Sequence, residues 1–158
     1  KDGGTSPFIL ASDGIAISPD GKVLFFCPLT SRNLFSISTE ALRDRNIPDM
    51  DLPYHVEYWG EKGASNGMIT GAKGTVYAGD YENNSIRKML PNGIMETIAY
   101  DPRILWRDTF SIGPDQYLYV IVNQLHRQPR FHYGKDLRQK PYSLLRIKID
   151  EFPAPTFS

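Results

Sequence analysis

Short runs in which apolar and polar residues alternate, separated by turn residues, dominate this chain and predict strands rather than helices. The clearest is Ser143-Leu-Leu-Arg-Ile-Lys-Ile149, with Leu145, Ile147 and Ile149 on one face and Leu144, Arg146 and Lys148 on the other. Further strand candidates are residues 23–28, 33–37, 54–59, 76–79, 85–90, 95–100 and 118–122. One segment reads as a short helix, Ser38-Thr-Glu-Ala-Leu-Arg-Asp44, with Ser38 or Thr39 as its cap.

The strands repeat. DGIAISPDGKVLFFCPL from Asp13, NGMITGAKGTVYAGDYE from Asn66 and DTFSIGPDQYLYVIVNQ from Asp108 align without gaps, spaced 53 and 42 residues apart. Each copy opens with Asp or Asn, runs through an apolar stretch, turns and enters a second strand. Gly21 and Gly74 occupy matching turn positions, where a positive φ costs glycine little. Gln116 stands there in the third copy, so a turn of another type is expected. Each copy is followed by further strand candidates, which is the layout of a propeller blade, and the spacings lie near the ~40–50 residues of known propeller repeats.

The expected fold is therefore all-β: three four-stranded blades, half of a six-bladed β-propeller. Residues 1–158 form one partial propeller domain, with blades at about 11–60, 64–101 and 106–150 and a tail at 151–158. Three blades close a ring poorly and leave unpaired edges. The expected partner is a missing N-terminal half of the propeller or a second copy of the chain.

Composition narrows the function. Eighteen Lys and Arg balance 18 Asp and Glu, so neither a strongly basic nucleic-acid binder nor an acidic solvating chain is indicated. Residues 125–148 carry Arg127, Arg130, Lys135, Arg138, Lys140, Arg146 and Lys148 among aromatics, and read as a solvated or interface-forming loop. Acids between Glu40 and Glu61 are available to pair with it. No stretch approaches the ~20 apolar residues of a membrane span. A single cysteine, Cys27, excludes an internal disulfide framework and reads as a buried small apolar residue. His55, His126 and His132 lack the spacing of a compact metal set.

Equivalent positions in radially arranged blades converge, so Asp13, Asn66 and Asp108 are expected at one end of a central channel. Oxygen side chains from several blades suit Ca²⁺, which takes 6–8 oxygen ligands in flexible geometry, and Asp13 and Asn66 are the candidate metal ligands. Each of the three residues also serves, on the alternative reading, as a turn cap that accepts backbone N–H groups. Asp80 and Asn123, at strand ends, are further channel candidates, where carboxylates beside aromatic faces favour a cationic amine. Packing between blades is the competing role for them.

The series SDGIAISPDGKVLFFCPLTSRNLFSIST, EALRD, SNGMITGAKGTVYAGDYENNSI and DTFSIGPDQYLYVIVNQLHRQPRF resembles the major royal jelly protein and Yellow family, in a bacterial-type member. The resemblance covers Ser12 to Asp150 and about half of a family member. It implies a six-bladed propeller, a small-molecule ligand in the central channel, no demonstrable catalysis, and secretion or a periplasmic location. A more distant similarity is to gluconolactonases and regucalcin-like proteins, in which an Asn-Gly and an Asp-Gly opening successive blades hold a metal. Asp13-Gly14 and Asn66-Gly67 are similar in position, with the two residue types exchanged. That similarity implies a calcium-dependent lactonase-like hydrolase as the alternative, and a structural or partner-binding propeller is the third reading.

Overall fold

The computed structural model describes residues 11–155, which form three antiparallel sheets, one α-helix of five residues and three short 3-10 turns. Sheet 1 comprises β1 (Ser12–Ile17), β2 (Val23–Pro28), β3 (Asn33–Ser38) and β4 (Val56–Glu61) in that order. Sheet 2 repeats the meander with β5 (Met68–Thr70), β6 (Val76–Asp80), β7 (Ser85–Met89) and β8 (Met95–Tyr100). Sheet 3 holds β9 (Arg107–Ile112), β10 (Tyr117–Val122) and β11 (Ser143–Lys148), with β10 in the middle. The helix α1 (Thr39–Arg43) follows β3, and the Ser38 hydroxyl caps it by accepting from the Glu40 amide at 3.1 Å.

Period-two alternation decides how the sheets pack. Met68, Val76, Ala78 and Met89 of sheet 2 face Ala16, Phe25, Cys27 and Leu34 of sheet 1. The opposite face of sheet 2 presents Tyr77 and Ile86 to Phe110, Ile112, Leu118 and Val120 of sheet 3. Sheet 2 is thus covered on both sides, and every residue of β6 is buried. Side chains such as Leu34, Ile86 and Leu118 are fully enclosed, each contributing about 1.5–3 kcal/mol relative to exposure.

The first strands of the sheets, β1, β5 and β9, lie side by side. Their backbones approach so closely that a Cβ on Gly14 would stand 2.8 Å from the Asn66 carbonyl oxygen, and one on Gly67 would overlap the Asp108 carbonyl. Glycine after the opening Asp or Asn is therefore a packing requirement in the first two copies.

Two expectations are corrected. The third turn is not of another type: Gln116 takes φ 63°, beside 71° at Gly21 and 84° at Gly74. Its amide donates to the Gly113 carbonyl (3.0 Å), as Gly21 does to Ser18 (2.8 Å) and Gly74 to Gly71 (2.9 Å). The left-handed cost at Gln116, roughly 1–2 kcal/mol, is offset where Asp115 Oδ1 accepts from the Tyr117 amide and Oδ2 from the Tyr119 hydroxyl.

Sheet 3 has three strands among the described residues, not four. After β11 the chain turns at Asp150 (φ 55°) and leaves the sheet edge for sheet 2. There Pro153 bridges Gly71, and the Ala72 amide donates to the Phe152 carbonyl (2.9 Å). Glu151, 2% exposed, accepts from the Tyr77 hydroxyl (2.6 Å) and the Lys73 amide (2.7 Å). Burial, followed by the hydrogen bond to and the charge of Glu151, raises the Tyr77 phenol far above its ordinary range. Residues 150–153 are thus committed to clasping the turn between β5 and β6.

Removing the clasp's acceptor has a defined cost. Glu151→Ala strands the buried Tyr77 hydroxyl and is expected to lower unfolding free energy by about 1–3 kcal/mol, whereas exposed Phe152→Ser leaves it within about 0.5 kcal/mol. Urea unfolding of the two variants checks this; equal effects contradict the clasp.

Candidate functional site

The three repeat-opening residues stand at the same ends of adjacent strands. Asp13 lies within β1, Asn66 leads into β5 and Asp108 is the second residue of β9. Asp13 is exposed, Asp108 is half-buried, and Asn66 is 7% exposed. Burial raises the Asp13 carboxyl above its ordinary 3.8, and the charge of Asp108 raises it further. The two carboxylates therefore sense each other across the intervening strand.

The partners of the three residues differ. Asp108 Oδ2 accepts from Asn123 Nδ2 at 2.9 Å, and Asn123 Oδ1 accepts from the Leu125 amide at 2.9 Å, which fixes the orientation of the Asn123 side chain. Asn66 Oδ1 is buried and finds no hydrogen-bond partner among the described residues. The Ser65 hydroxyl beside it is used otherwise, accepting from the Gly79 amide (3.0 Å) and donating to the Gly67 carbonyl (2.8 Å). Neither the Asn66 nor the Asp108 side chain therefore shows the hydrogen bond to a backbone amide that a turn cap would make.

Asp80 occupies the same end but one strand further out. Its carboxylate packs against Gly63, and Oδ2 accepts from Asn83 Nδ2 at 2.8 Å while Oδ1 is buried without a partner among the described residues. Around it lie two cations that the sequence did not single out. Lys62 is fully buried and donates to the Gly63 carbonyl at 2.7 Å, and burial lowers its pKa. Arg107 is 1% exposed, and burial brings its pKa down to about 10. The available signal was the placement of each cation, Lys62 four residues before Asn66 and Arg107 directly before Asp108.

The other candidates resolve simply. Cys27 is buried in sheet 1, and its thiol donates to the Ser65 carbonyl at 3.7 Å. A ring nitrogen of His132 meets the His126 carbonyl at 2.9 Å, a loop-closing contact. Arg138 pairs with Asp136, two residues away (2.7 Å), and not with the acids between Glu40 and Glu61. Among the described residues no three His, Cys, Asp or Glu side chains form a group able to hold a metal, and no helix is long and apolar enough to cross a membrane. A hard cation at Asp13, Asn66 and Asp108 would have two carboxylates and one amide oxygen from this chain. The partnerless Asn66 Oδ1 fits such an ion.

Comparison with solved structures finds the same architecture at low sequence identity. A calcium-binding protein, regucalcin, from Agrobacterium tumefaciens is 17% identical, with a TM-score of 0.58 over 91% of this chain and 47% of that one. A gluconolactonase from Xanthomonas campestris is 14% identical, with a TM-score of 0.64 over 92% and 46%. A luciferin-regenerating enzyme is 13% identical, with a TM-score of 0.61 over 92% and 47%. The chain thus spans about half the length of these structures and shares their propeller fold. A comparison with curated protein sequences returns no match. The family model described as major royal jelly protein matches residues 4–155, nearly the whole chain, and on that match the chain belongs to the major royal jelly protein family.

Proposed function

We propose that this chain supplies half of a six-bladed propeller that binds a small cationic molecule in its central channel, without catalysis. Asp13 and Asp108 provide the charge, Asn66 an amide oxygen, and Asn123 holds Asp108 in place. The observation that carries the reading is the buried Asn66 Oδ1, which has no donor among the described residues. Asn66 leads into β5, between the strands of Asp13 and Asp108, and the charge of Asp108 adds to burial in raising the Asp13 pKa. A buried acceptor without a partner costs about 1–3 kcal/mol, and a ligand's N–H groups would recover it. A primary ammonium group offers three donors and one positive charge to those three oxygens.

The rest of the ring comes, on this reading, from a missing N-terminal half or a second copy. Support lies on the two outward faces. Sheet 1 presents Ile15, 61% exposed, beside stacked Phe26 and Phe35, and sheet 3 presents Leu144, 65% exposed. Apolar faces of this kind fit neighbouring blades.

The second reading is a calcium-dependent, lactonase-like hydrolase, favoured by the all-oxygen donor set and by likeness to structures described as regucalcin and gluconolactonase. Asp13 and Asn66 would hold the ion, and bound calcium would polarise an ester carbonyl. A third reading is a propeller that acts only through partner contacts.

Two measurements separate these readings. In melting experiments with phenethylamine and calcium chloride as probes, phenethylamine is expected to raise the Tm of the intact chain saturably, and Asn66→Ala to abolish the rise. A rise with calcium alone selects the hydrolase, and no rise with either probe contradicts both sites. The second measurement is pH dependence. Asp13 has a folded pKa raised above 3.8, so its contribution is complete below that value and is lost as pH rises through the folded pKa. Asp13→Asn should therefore gain stability over the wild type between about pH 4 and pH 7 in urea unfolding without ligand; a gain independent of pH contradicts the assignment.

A further inference from the structure

Apart from Thr70 Oγ1 and Arg87 Nε, the buried polar atoms left without partners among the described residues belong to four side chains near the ends that carry Asn66 and Asp108. Besides Asn66 Oδ1 they include Asp80 Oδ1, Trp106 Nε1 and all three guanidinium nitrogens of Arg107. Arg107 and Asp108 are neighbours on β9 and project to opposite faces, so Arg107 does not share the channel site. Its side chain lies instead between sheets 2 and 3, with Nε against the Gly79 backbone of β6. Trp106, next to it in the chain, stacks on Tyr81, ring centroids 4.3 Å apart and planes 13° from parallel, and on His126 at 6.0 Å. Trp106 is held at φ 53°, a conformation that is unfavourable for a bulky residue and clusters at ligand clamps.

The charge balance around this pocket is incomplete. Asp80 favours the charged form of Arg107, but no hydrogen bond joins them among the described residues. Lys62 adds a second buried cation close enough to Arg107 for mutual repulsion. The Cys27 sulfur beside Lys62 favours the charged form of that lysine and leaves the Arg107 guanidinium without a partner. Two buried cations thus face one buried carboxylate. A buried guanidinium with all its N–H donors idle is among the costliest arrangements an interior can hold. The missing component is an acceptor with negative charge, and the planar fork of Arg107 matches the two oxygens of a carboxylate.

We infer that Arg107, buried beside the Tyr81–Trp106–His126 stack, is a binding site for a small monovalent carboxylate, with the Trp106 indole N–H as a further donor. The site is separate from the channel end and does not depend on the function proposed for it. Asp80 also lines an open groove of about 600 Å³ with Glu82, Asn83, Ser85 and Arg87. Arg87 places a cation in that groove, and its own Nε is buried and without a partner among the described residues.

Formate is the probe, with chloride at equal ionic strength as the comparison. Formate is expected to raise the Tm of the intact chain by roughly 5–10 °C at about a hundredfold excess over its Kd, and chloride by much less. In a Trp59→Phe background formate is also expected to change Trp106 fluorescence over the same concentration range. Arg107→Met removes the buried charge and should abolish both responses. Asp80→Asn removes the competing carboxylate and should tighten formate binding, an arm that stands even where Arg107→Met fails to fold. Equal responses to formate and chloride, an unchanged response in Arg107→Met, or weaker binding in Asp80→Asn would overturn the site in favour of ordered water.

Discussion

The close approach of β1, β5 and β9 is the constraint on which the other features rest. A single carbon added at Gly14 or Gly67 would collide with the backbone of the next sheet. Because the strands meet at that spacing, sheet 2 is covered on both faces and the two apolar clusters form on either side of it. The same spacing brings three repeat-opening side chains to neighbouring strand ends. Packing and site geometry therefore have one cause. In a repeated architecture a residue type at one position is multiplied into a cluster, and here the cluster is two carboxylates and an amide.

Tight packing also explains why polar groups are stranded at this end. Where sheets meet face to face, apolar side chains fill the space and each buried polar atom needs a partner. Elsewhere in the sheets Trp59 Nε1 donates to Ser36 Oγ (2.8 Å) and Tyr77 to Glu151 (2.6 Å), although Thr70 Oγ1 is left without a partner among the described residues. At the ends that carry Asn66, Asp80, Trp106 and Arg107 the condition is not met. Acceptors on Asn66 and Asp80 and donors on Trp106 and Arg107 are left open there. Opposite charges gathered at two adjacent places suit two ligands of opposite sign.

Local pattern made the strands legible in the sequence. Residues 23–28 and 95–100 form strands with the predicted limits, because alternation and flanking turns are properties of a few consecutive residues. The placement of Asp13, Asn66 and Asp108 at matching ends of β1, β5 and β9 was legible from the gapless repeat. Gln116 misled because residue type suggested a different turn, while Asp115 supports the same one. That sheet 3 has three strands among the described residues goes with a contact across the chain, Glu151 on Tyr77, which no local window contains. Arg107, Lys62 and Trp106 escaped notice for the same reason: a lysine or arginine in sequence reads as solvated, and only the stacking of sheets encloses it.

Everything said of the channel depends on two carboxylates from separate repeats being close enough to oppose each other's ionisation. Carboxyl-carbon NMR titration of Asp13, in the wild-type chain and in Asp108→Asn, measures that proximity without any ligand. Asp13 should titrate above 3.8 in the first and shift downward in the second. An Asp13 curve that is identical in the two proteins would mean that the repeats do not bring their opening residues together.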